Sequence, residues 1–462
     1  MLRAGLAAVS ITPEPGRLMS GMIDPPPGQV GRWPLNARAL IVDDGCTRAA
    51  VLSLDLLFLN YGTMCEMRPL LAAAAGMAPE NVMVACIHTH RAPYATPLMD
   101  EPADFEYLDF LTGRLRALMA LAAASLRPAR IRVGHIQAPG WAWNRRPVYT
   151  RNQVGTQGPC YGPDFLGMEG PEDSELTALL VEDEGGAPLG GVVNFACHTT
   201  VTGALPFYSA DYPGPLVDHL QLHFGGSFVF LQGAAGDIWP VDKRSEQPRT
   251  EMGDEHNERM GTALAAKAIE ALATAEPIAG ERVRVERRVL RIAQRQPTRG
   301  QVALARWYLE NRPADLDEKD FHRRIYDGHD YTFYGSWPSQ RVEEWFCRET
   351  IAMWEWQRHQ VVRCPGEEVE VQAIAVGDDL AFVGYPAEYF TEFGLETKAK
   401  SPFKHTFVAE LANGWVGYVP TAAAFEHGGY ECRLAYQSRL VPEAGDLMCR
   451  TGVGLLRMLS AL

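Results

Sequence analysis

The sequence predicts a mixed α/β fold in which a β-sheet core is flanked by helices. Short apolar runs rich in β-branched residues alternate along the chain with longer segments whose apolar residues recur every three or four positions. Strands interleaved with helices in this way indicate a mixed sheet core rather than a sandwich or a helix bundle. The chain has 462 residues, of which 47% are hydrophobic, so it has enough apolar material to bury a large interior.

Each element follows from a local pattern. The residues before Pro13 predict a first strand, and residues 40–45 and 50–55 predict a hairpin, because two apolar runs flank a short acidic connection that contains glycine. One helix is predicted over residues 105–122 and a second over residues 260–273. Further strands are predicted at residues 81–87, 130–135, 176–182, 191–197, 227–231, 369–376, 380–384 and 405–411.

A segment at residues 296–363 breaks this alternation. Aromatic residues crowd among charged ones there, which predicts a mainly helical, aromatic-rich insertion. Three interpretations stay open for it: a lid, a contact between copies of the chain, or an amphipathic helical pair packed on the core. No internal repeat, glycine-serine linker or low-complexity tract marks a second domain, so we expect residues 1–462 to form one domain.

Composition and charge exclude some classes of partner. The formal net charge is −14, and a negatively charged chain is repelled by a nucleic acid backbone. No segment approaches the roughly 20 apolar residues of a membrane-spanning helix, and no basic amphipathic stretch is present, so we expect no stable membrane association. Nine scattered cysteines without a CxxC pair, and an N-terminus unlike a secretory signal, predict a cytoplasmic protein. The oligomeric state is left open, with a homo-oligomer as one alternative.

Two histidine motifs follow predicted strands. His88 and His90 come directly after residues 81–87, and alternate side chains of an extended chain share a face, so their imidazoles should converge. His198 follows residues 191–197, at the kind of strand end where open α/β sheets bind ligands. Each histidine taken alone is equally typical of a hydrogen-bonded core or surface residue.

Other strand ends carry a carboxylate or a phenol. Asp237, Glu388 and Tyr418 each follow a predicted strand. Taken singly they are more often turn or capping residues, and Glu388 is typical of the first turn of a helix. Together with the histidines they form the set of imidazole and carboxylate ligands that a hydrolytic zinc ion requires. The sequence lacks the signatures of nucleotide-binding loops, zincins and α/β-hydrolases, so metal-assisted hydrolysis is the enzyme class that survives.

These residues also make the chain resemble the neutral/alkaline non-lysosomal ceramidases, zinc amidases that cleave the N-acyl bond of ceramide. The resemblance spans nearly the whole chain, and its motifs occur in the family's order. They are the opening strand up to Ile11-Thr12-Pro13, Ile87-His88-Thr89-His90, Asn144-Arg145, Phe195-Ala196-Cys197-His198, Gly236-Asp237-Ile238-Trp239-Pro240, Pro386-Ala387-Glu388 and Gly417-Tyr418-Val419-Pro420-Thr421. Any one of them is weak evidence, whereas seven in order are fairly specific.

The resemblance implies a role for each matching residue. The ligands of one zinc ion per chain would be His88, His198, Glu388 and Tyr418. A phenol is an unusual ligand, since the metal must lower its pKa of about 10, so Tyr418 is alternatively a donor to the oxyanion. His90 and Arg145 would face the scissile carbonyl. Two imidazoles and a carboxylate favour zinc over cations that prefer all-oxygen sites, with manganese and iron as the alternatives.

Two departures from the family change the expected function. Trp239 stands where the family has a serine proposed as nucleophile or positioning group, and an indole has no nucleophilic or basic atom, so we expect attack by metal-activated water. The chain ends at Leu462, where the lipid-cleaving members continue into an immunoglobulin-like domain, so we expect a ceramidase-like catalytic domain alone. The expected substrate is a compact, soluble N-acyl amide, with an ester or a lactone as the runner-up. A non-catalytic binding protein with a ceramidase-like fold is the other alternative.

Four further residues complete the predicted site. Asp211 would orient a histidine or carry a proton, although a turn aspartate is an equal alternative. The bulky Trp239 would fill space in front of the metal. Tyr430 would line the same pocket, and Arg146 would bind an acidic group of the substrate. The aromatic part of the insertion, residues 331–345, would close over that substrate.

Overall fold

Two β-sheets lie face to face, and helices cover the outer face of each sheet. The computed structural model of the chain describes all residues except 23–25, 99–100, 151–152, 156–159, 204, 245–251, 327, 330–339 and 361–365. The predicted mixed sheet core flanked by helices is confirmed. That the core consists of two stacked sheets, rather than one, was not predicted, because strand patterns alone do not say which strands pair.

The larger sheet has strands in both directions. Its described strands are β1 (Arg3–Ser10), β3 (Asn36–Asp43), β4 (Arg48–Leu54), β5 (Val82–Cys86), β6 (Arg127–Gln137), β11 (Glu175–Asp183), β12 (Pro188–Phe195), β14 (Ser227–Gln232) and β16 (Glu276–Pro277). The order across the sheet is β14-β12-β11-β6-β1-β3-β4-β5, with β16 beside β6. The parallel pairs β12–β14 and β4–β5 therefore lie at opposite edges. The predicted hairpin is present as β3 and β4.

The smaller sheet packs on the larger one. Its described strands, in spatial order, are β17 (Val283–Ile292), β18 (Glu367–Val376), β19 (Leu380–Gly384) and β21 (His405–Ala409). Only β19 and β21 are parallel among them. Shorter ribbons are formed by β2 (Gln29–Val30), β7 (Trp143–Asn144), β8 (Pro147–Tyr149), β9 (Gln153–Val154), β10 (Phe165–Met168), β13 (Phe207–Tyr208), β15 (Ile238–Trp239), β20 (Glu388–Tyr389) and β22 (Tyr418–Val419).

The helices form the outer layers. The described helices are α1 (Tyr61–Ala75), α2 (Phe105–Ala124), α3 (Pro213–Phe224), α4 (Asp254–Ala273), α5 (Arg299–Asn311), α6 (Glu318–Ile325), α7 (Gln340–Gln360), α8 (Thr391–Lys400), α9 (Ala424–His427) and α10 (Ala444–Ala461). α1 to α4 cover the larger sheet, and α8 and α10 cover the smaller one. No helix in the described part of the chain combines the length and the apolarity needed to cross a bilayer.

The central core lies between the two sheets. Val51 and Leu179 of the larger sheet meet Ile374 and Phe382 of the smaller one in a single buried cluster. The opposite faces of these strands are covered by helices, so both faces are buried. This explains why the sequence shows continuous apolar runs rather than strict alternation at the predicted strands.

Several elements were not predicted from the sequence. α1 contains Pro69 and therefore lacks an uninterrupted helical pattern. β17 carries four arginines and so lacks the apolar run that marked the other strands, although it pairs with β18 over its whole length. α4 begins at Asp254, before the predicted start at residue 260, because its first turns are polar.

The predicted insertion at residues 296–363 is helical where it is described. It connects β17 to β18 through α5, α6 and α7, which share a small apolar core of their own. Residues 331–339, which include most of the aromatic cluster expected to close over the substrate, lie outside the described residues. Arg433 anchors α7 to the rest of the protein, since its Nη2 donates to Glu349 at 2.5 Å and its guanidinium lies 3.6 Å from the ring of Phe346.

His135 and His405 join the two sheets. His135 lies on β6 and His405 begins β21, and their rings stack with centroids 4.9 Å apart. Nε2 of His135 lies 2.6 Å from Nδ1 of His405. Burial, reinforced by the neighbouring His135 ring, lowers the pKa of His405 from 6.5 to about 4. Protonation therefore opposes this contact between the sheets.

Acid should weaken the fold through this pair. His405 takes up a proton on unfolding between pH 6.5 and 4, because its pKa is lower in the folded chain. Its contribution to the free energy of unfolding is thus complete above pH 6.5 and is lost as the pH falls toward 4. We expect a shallower fall in this range for His405→Asn than for the unmodified protein, measured by urea denaturation. The exposed His223, changed to Asn, is the control, and equal slopes in all three proteins would contradict the prediction.

Candidate metal centre and active site

Three histidines lie together where strand ends meet. His88 follows β5, His198 follows β12, and their rings are 4.6 Å apart and nearly perpendicular. The ring of His90 is 5.0 Å from that of His88. The predicted convergence of His88 and His90 is therefore present, but the backbone of His88 has φ of 70°. A left-handed turn, rather than an extended chain, brings the two rings together.

His88 and His198 each form a hydrogen bond from one ring nitrogen to a backbone carbonyl. Nδ1 of His88 lies 3.3 Å from the oxygen of Leu57, and Nδ1 of His198 lies 2.6 Å from the oxygen of Ala235. Because a carbonyl can only accept, Nδ1 carries the proton in each neutral ring, and Nε2 carries a lone pair. A backbone acceptor that fixes the tautomer in this way prepares an imidazole to bind a metal through its other nitrogen.

The two free nitrogens face the carboxylate of Glu388. Its Oε2 lies 3.1 Å from Nε2 of His88 and 3.6 Å from Nε2 of His198. Its Oε1 accepts a hydrogen bond of 3.0 Å from the indole of Trp415. Glu388 lies on β20, and α8 begins only at Thr391, so the alternative of an acid in the first turn of a helix does not apply.

His88, His198 and Glu388 fit a metal ion. All three side chains are buried, and Nε2 of each histidine has no hydrogen-bond partner. Because each ring donates from Nδ1 to a backbone carbonyl, each Nε2 is the atom turned toward Oε2 of Glu388. An unpaired buried polar atom costs about 1–3 kcal/mol, and a cation would satisfy all three atoms at once. These atoms lie within 4.8 Å of one another, the one such group among the described residues.

The electrostatics favour the forms that bind metal. Burial alone raises the pKa of the Glu388 carboxyl, but the facing imidazoles outweigh burial and hold that pKa well below its usual range. Burial, followed by the charge of Arg145, lowers the pKa of His198 to about 4. At neutral pH the carboxylate is charged and the imidazole is neutral, as metal coordination requires.

Tyr418 lies beside these three residues. It is on β22, directly opposite Glu388 in the parallel pairing with β20. Its ring is nearly parallel to that of His198 at 6.4 Å, and the guanidinium of Arg145 lies 5.4 Å away from it. Burial, and then the charge of Glu388, raise the pKa of its phenol well above the ordinary value. Both roles considered for Tyr418, metal ligand and donor to an oxyanion, need this position.

His90 is a neutral imidazole at the edge of the group. Its Nδ1 lies 2.8 Å from the carbonyl oxygen of Gly21, and its Nε2 is buried without a partner. Burial, with the neighbouring His88 and His198, holds its pKa well below the ordinary value. A neutral ring with a free Nε2 is able to accept a proton from a group bound in the site.

Arg145 reaches the site with part of its guanidinium free. Its backbone N–H donates to the carbonyl of Asp237 at 2.9 Å, and its Nε donates to Glu431 at 2.8 Å. Its Nη2 is buried and has no hydrogen-bond partner, and the guanidinium faces Tyr418. An anchored guanidinium with an unpaired N–H group is suited to bind an oxyanion or a carboxylate.

Arg146 is not directed into the pocket. Its side chain is fully buried, and it donates to Glu169, to Glu431 at 2.5 Å and to the carbonyl of Gly428 at 2.8 Å. These acceptors occupy all three of its nitrogens. The contacts favour a structural role over the predicted binding of an acidic substrate group. Glu431 holds both arginines, and in doing so it orients Arg145.

The carboxylate of Asp211 is likewise held by hydrogen bonds, here within its own loop. Its carboxylate accepts hydrogen bonds from the backbone N–H of Val201 at 3.2 Å and from the backbone and hydroxyl of Thr202 at 2.9 and 2.8 Å. Its own backbone has φ of 55°. These contacts hold the loop that follows His198, and they favour the turn alternative over a role in proton transfer.

Trp239 and Tyr430 contact residues near the metal candidates. The indole of Trp239 donates to the hydroxyl of Thr200 at 3.0 Å, two residues along the chain from His198. The ring of Tyr430 is 5.6 Å from that of Tyr418. The place of both rings in the site stays a prediction.

Sequence reasoning missed two buried side chains that support the site. Trp415 donates to Glu388 and stacks on Phe58, with ring centroids 3.9 Å apart. Glu410 accepts backbone hydrogen bonds from Ala235 and Tyr389. The only signal was position: Glu410 lies within the predicted strand at residues 405–411, and Trp415 lies between that strand and Tyr418.

Comparison with known proteins gives the fold. No family model and no curated protein sequence matches the chain. The crystal structure of neutral ceramidase from Pseudomonas aeruginosa matches with a TM-score of 0.72 and 19% sequence identity, covering 100% of this chain and 74% of that chain. A structure of ceramidase complexed with C2 matches with a TM-score of 0.71 and 19% identity, covering 100% of this chain and 75% of that one. The resemblance suggested by the sequence motifs is thus confirmed for the fold: the chain has a neutral ceramidase-like fold.

Proposed function

We propose that the protein is a zinc-dependent hydrolase that cleaves the C–N amide bond of a compact, soluble N-acyl substrate with metal-activated water. The observation that carries the proposal is the buried meeting of Nε2 of His88, Nε2 of His198 and Oε2 of Glu388, with each ring anchored through Nδ1 to a backbone carbonyl. The ceramidase-like fold supports an amide as the bond that is cleaved. The cytoplasm is the proposed compartment, supported by the free thiols of the described cysteines.

The residues would share the work as follows. His88, His198 and Glu388 would hold the ion, and two imidazoles with one carboxylate suit zinc and leave a position open. Tyr418 would be a fourth ligand or a donor. When bound, zinc supplies a Lewis acid for the substrate carbonyl and lowers the pKa of a water molecule to about 7.

The remaining groups would handle charge and protons. Arg145 would donate from Nη2 to the negative charge that develops on the carbonyl oxygen, or to a carboxylate of the substrate. His90 would accept a proton at Nε2 during attack and return it to the leaving amine. Trp239 and Tyr430 would wall the pocket and exclude bulk water. We no longer assign Asp211 or Arg146 to the chemistry, because their hydrogen bonds support loops.

Two other functions follow from the same geometry. The same activated water attacks an ester or lactone carbonyl, so a substrate screen must include all three bond types. A binding protein that lost the chemistry is suggested by Trp239, which replaces the family's serine. Metal retention without turnover of any amide, ester or lactone, together with tight retention of a small molecule, would favour the binding protein.

Metal analysis is the first test of the proposal. Purified protein should carry about one zinc ion per chain, and His88→Ala and His198→Ala should each weaken zinc binding by more than about 100-fold, the upper range for loss of a supporting residue. Affinity is measured by competition with a chromogenic chelator, with His223→Ala as the control. Unchanged zinc binding in both variants, or full activity after chelation, would contradict the proposal.

The two adjacent arginines should respond differently to substitution. We expect Arg145→Gln to lower kcat by about 100- to 1,000-fold, the usual loss for an oxyanion donor, with little change in Tm. We expect Arg146→Gln to lower Tm, because it removes the buried guanidinium that pairs with the carboxylates of Glu169 and Glu431. Steady-state kinetics and thermal unfolding of both variants make the comparison. A loss of kcat confined to Arg146→Gln would reverse the assignment.

Trp239 should set the size of the substrate. Replacing the indole with a smaller side chain opens space beside His198, so Trp239→Ser should raise kcat/KM for long-chain N-acyl substrates by about 10-fold or more relative to short-chain ones. The measurement compares kcat/KM over a series of acyl lengths for both proteins. If the unmodified protein already prefers long-chain ceramide in detergent, and the substitution leaves that preference in place, the compact-substrate proposal is wrong.

A further inference from the structure

Glu410 is a buried carboxyl group that the proposed mechanism does not use. It follows β21 and is fully buried. Its Oε2 accepts a hydrogen bond of 3.0 Å from the backbone N–H of Ala235 and one of 3.1 Å from the backbone N–H of Tyr389. One oxygen atom therefore ties together two segments that are far apart in the sequence.

These two segments carry the ligand candidates. The carbonyl of Ala235 accepts the Nδ1 hydrogen of His198 at 2.6 Å, which sets the direction of that ring. Tyr389 directly follows Glu388 on β20. The N–H of Gly236 also donates to the carbonyl of Tyr389 at 2.9 Å. The carboxyl of Glu410 thus lies behind the site, at the joint between the segment that orients His198 and the segment that carries Glu388.

The groups around Glu410 require a hydrogen-bond acceptor at this position and do not require a negative charge. Its Oε1 is buried without a hydrogen-bond partner, and no ion pair joins it to a cation among the described residues. Burial raises the pKa of this carboxyl well above its ordinary value, and the nearby charge of Glu388 adds to the effect. A second buried negative charge beside Glu388 would be costly, whereas an uncharged carbonyl oxygen can accept both N–H groups.

We propose that Glu410 is a positioning residue of the metal centre, whose single acceptor oxygen holds the His198 ring and the Glu388 carboxylate at the spacing that a metal ion needs. This inference rests on the proposed metal site. It predicts that an amide at position 410 works as well as the carboxyl, because a glutamine side chain keeps a carbonyl oxygen in the same place. A side chain without that oxygen should fail.

Three substitutions separate the acceptor from the charge. Glu410→Gln keeps the acceptor and should bind zinc within about 3-fold of the unmodified protein, whereas Glu410→Leu removes the acceptor and should bind about 10- to 100-fold more weakly, the range for loss of a group that orients a ligand. Glu410→Asp shortens the side chain, so its oxygen cannot reach both N–H groups and a loss is also expected. Affinities are measured on the full chain by chelator competition.

A second measurement needs no metal. In the zinc-free protein, imidazole nitrogen NMR should show His198 protonated at Nδ1, both in the unmodified protein and in Glu410→Gln. In Glu410→Leu, or in Glu410→Asp if the leucine variant does not fold, we expect a mixture of the two tautomers. Glu370→Leu is the matched control, since this buried carboxylate pairs with Arg68 and Arg287 instead. It should lower Tm without changing zinc affinity or the His198 tautomer.

The outcomes distinguish this inference from the proposed function. If His88→Ala loses zinc but Glu410→Leu and Glu410→Asp bind it as tightly as the unmodified protein, Glu410 has no positioning role and only this inference fails. If Glu410→Gln loses as much affinity as Glu410→Leu, the acceptor argument is overturned. If His88→Ala retains zinc, the proposed metal site itself is wrong.

Discussion

Two imidazole nitrogens and a carboxylate oxygen are buried together, and the organisation of the site depends on this arrangement. Each histidine donates its Nδ1 hydrogen to a backbone carbonyl. Either ring must therefore become a cation in the interior before its Nε2 can donate a hydrogen to Glu388. Trp415 offers the carboxylate one hydrogen bond and leaves its other oxygen turned toward the two rings. Such an arrangement is costly by itself and becomes favourable when a cation joins the three atoms.

The stacking of the two sheets explains how these residues meet. His88 and His198 follow the parallel pairs at the two ends of the larger sheet, and these ends meet because the sheet curls until β14 contacts β4 and β5, with the hydroxyl of Ser53 donating to the carbonyl of Phe230. Glu388 and Tyr418 follow strands of the smaller sheet. Backbone contacts join the strand ends of both sheets, such as Cys86 to Leu411. The apolar core between the sheets fixes their relative position, so the loops at this edge are held by rigid strands. The packing of this core thus fixes the distances between the polar groups of the site.

Neighbouring residues of the same type have different environments here. Arg145 and Arg146 are adjacent in the sequence and share Glu431, yet one keeps a nitrogen without a partner beside Tyr418 while the other is saturated by acceptors. The difference comes from two segments, one supplying Glu169 and the other Gly428, whose acceptors bind Arg146. Glu431, which fixes the guanidinium of Arg145, is therefore as much a part of the site as that guanidinium, which faces Tyr418.

The sequence by itself determined the fold class, most strands of both sheets and the three ligand candidates, because apolar runs and polar residues at strand ends are local patterns. It did not separate the two sheets, since pairing is decided by packing over long distances. It did not decide between the two alternatives for Asp211, give the acceptors of Arg146 or reveal Glu410, because these outcomes depend on hydrogen-bond partners that only the folded chain brings together. Even the meeting of His88 and His90 arises from a left-handed backbone turn that only the tertiary structure shows.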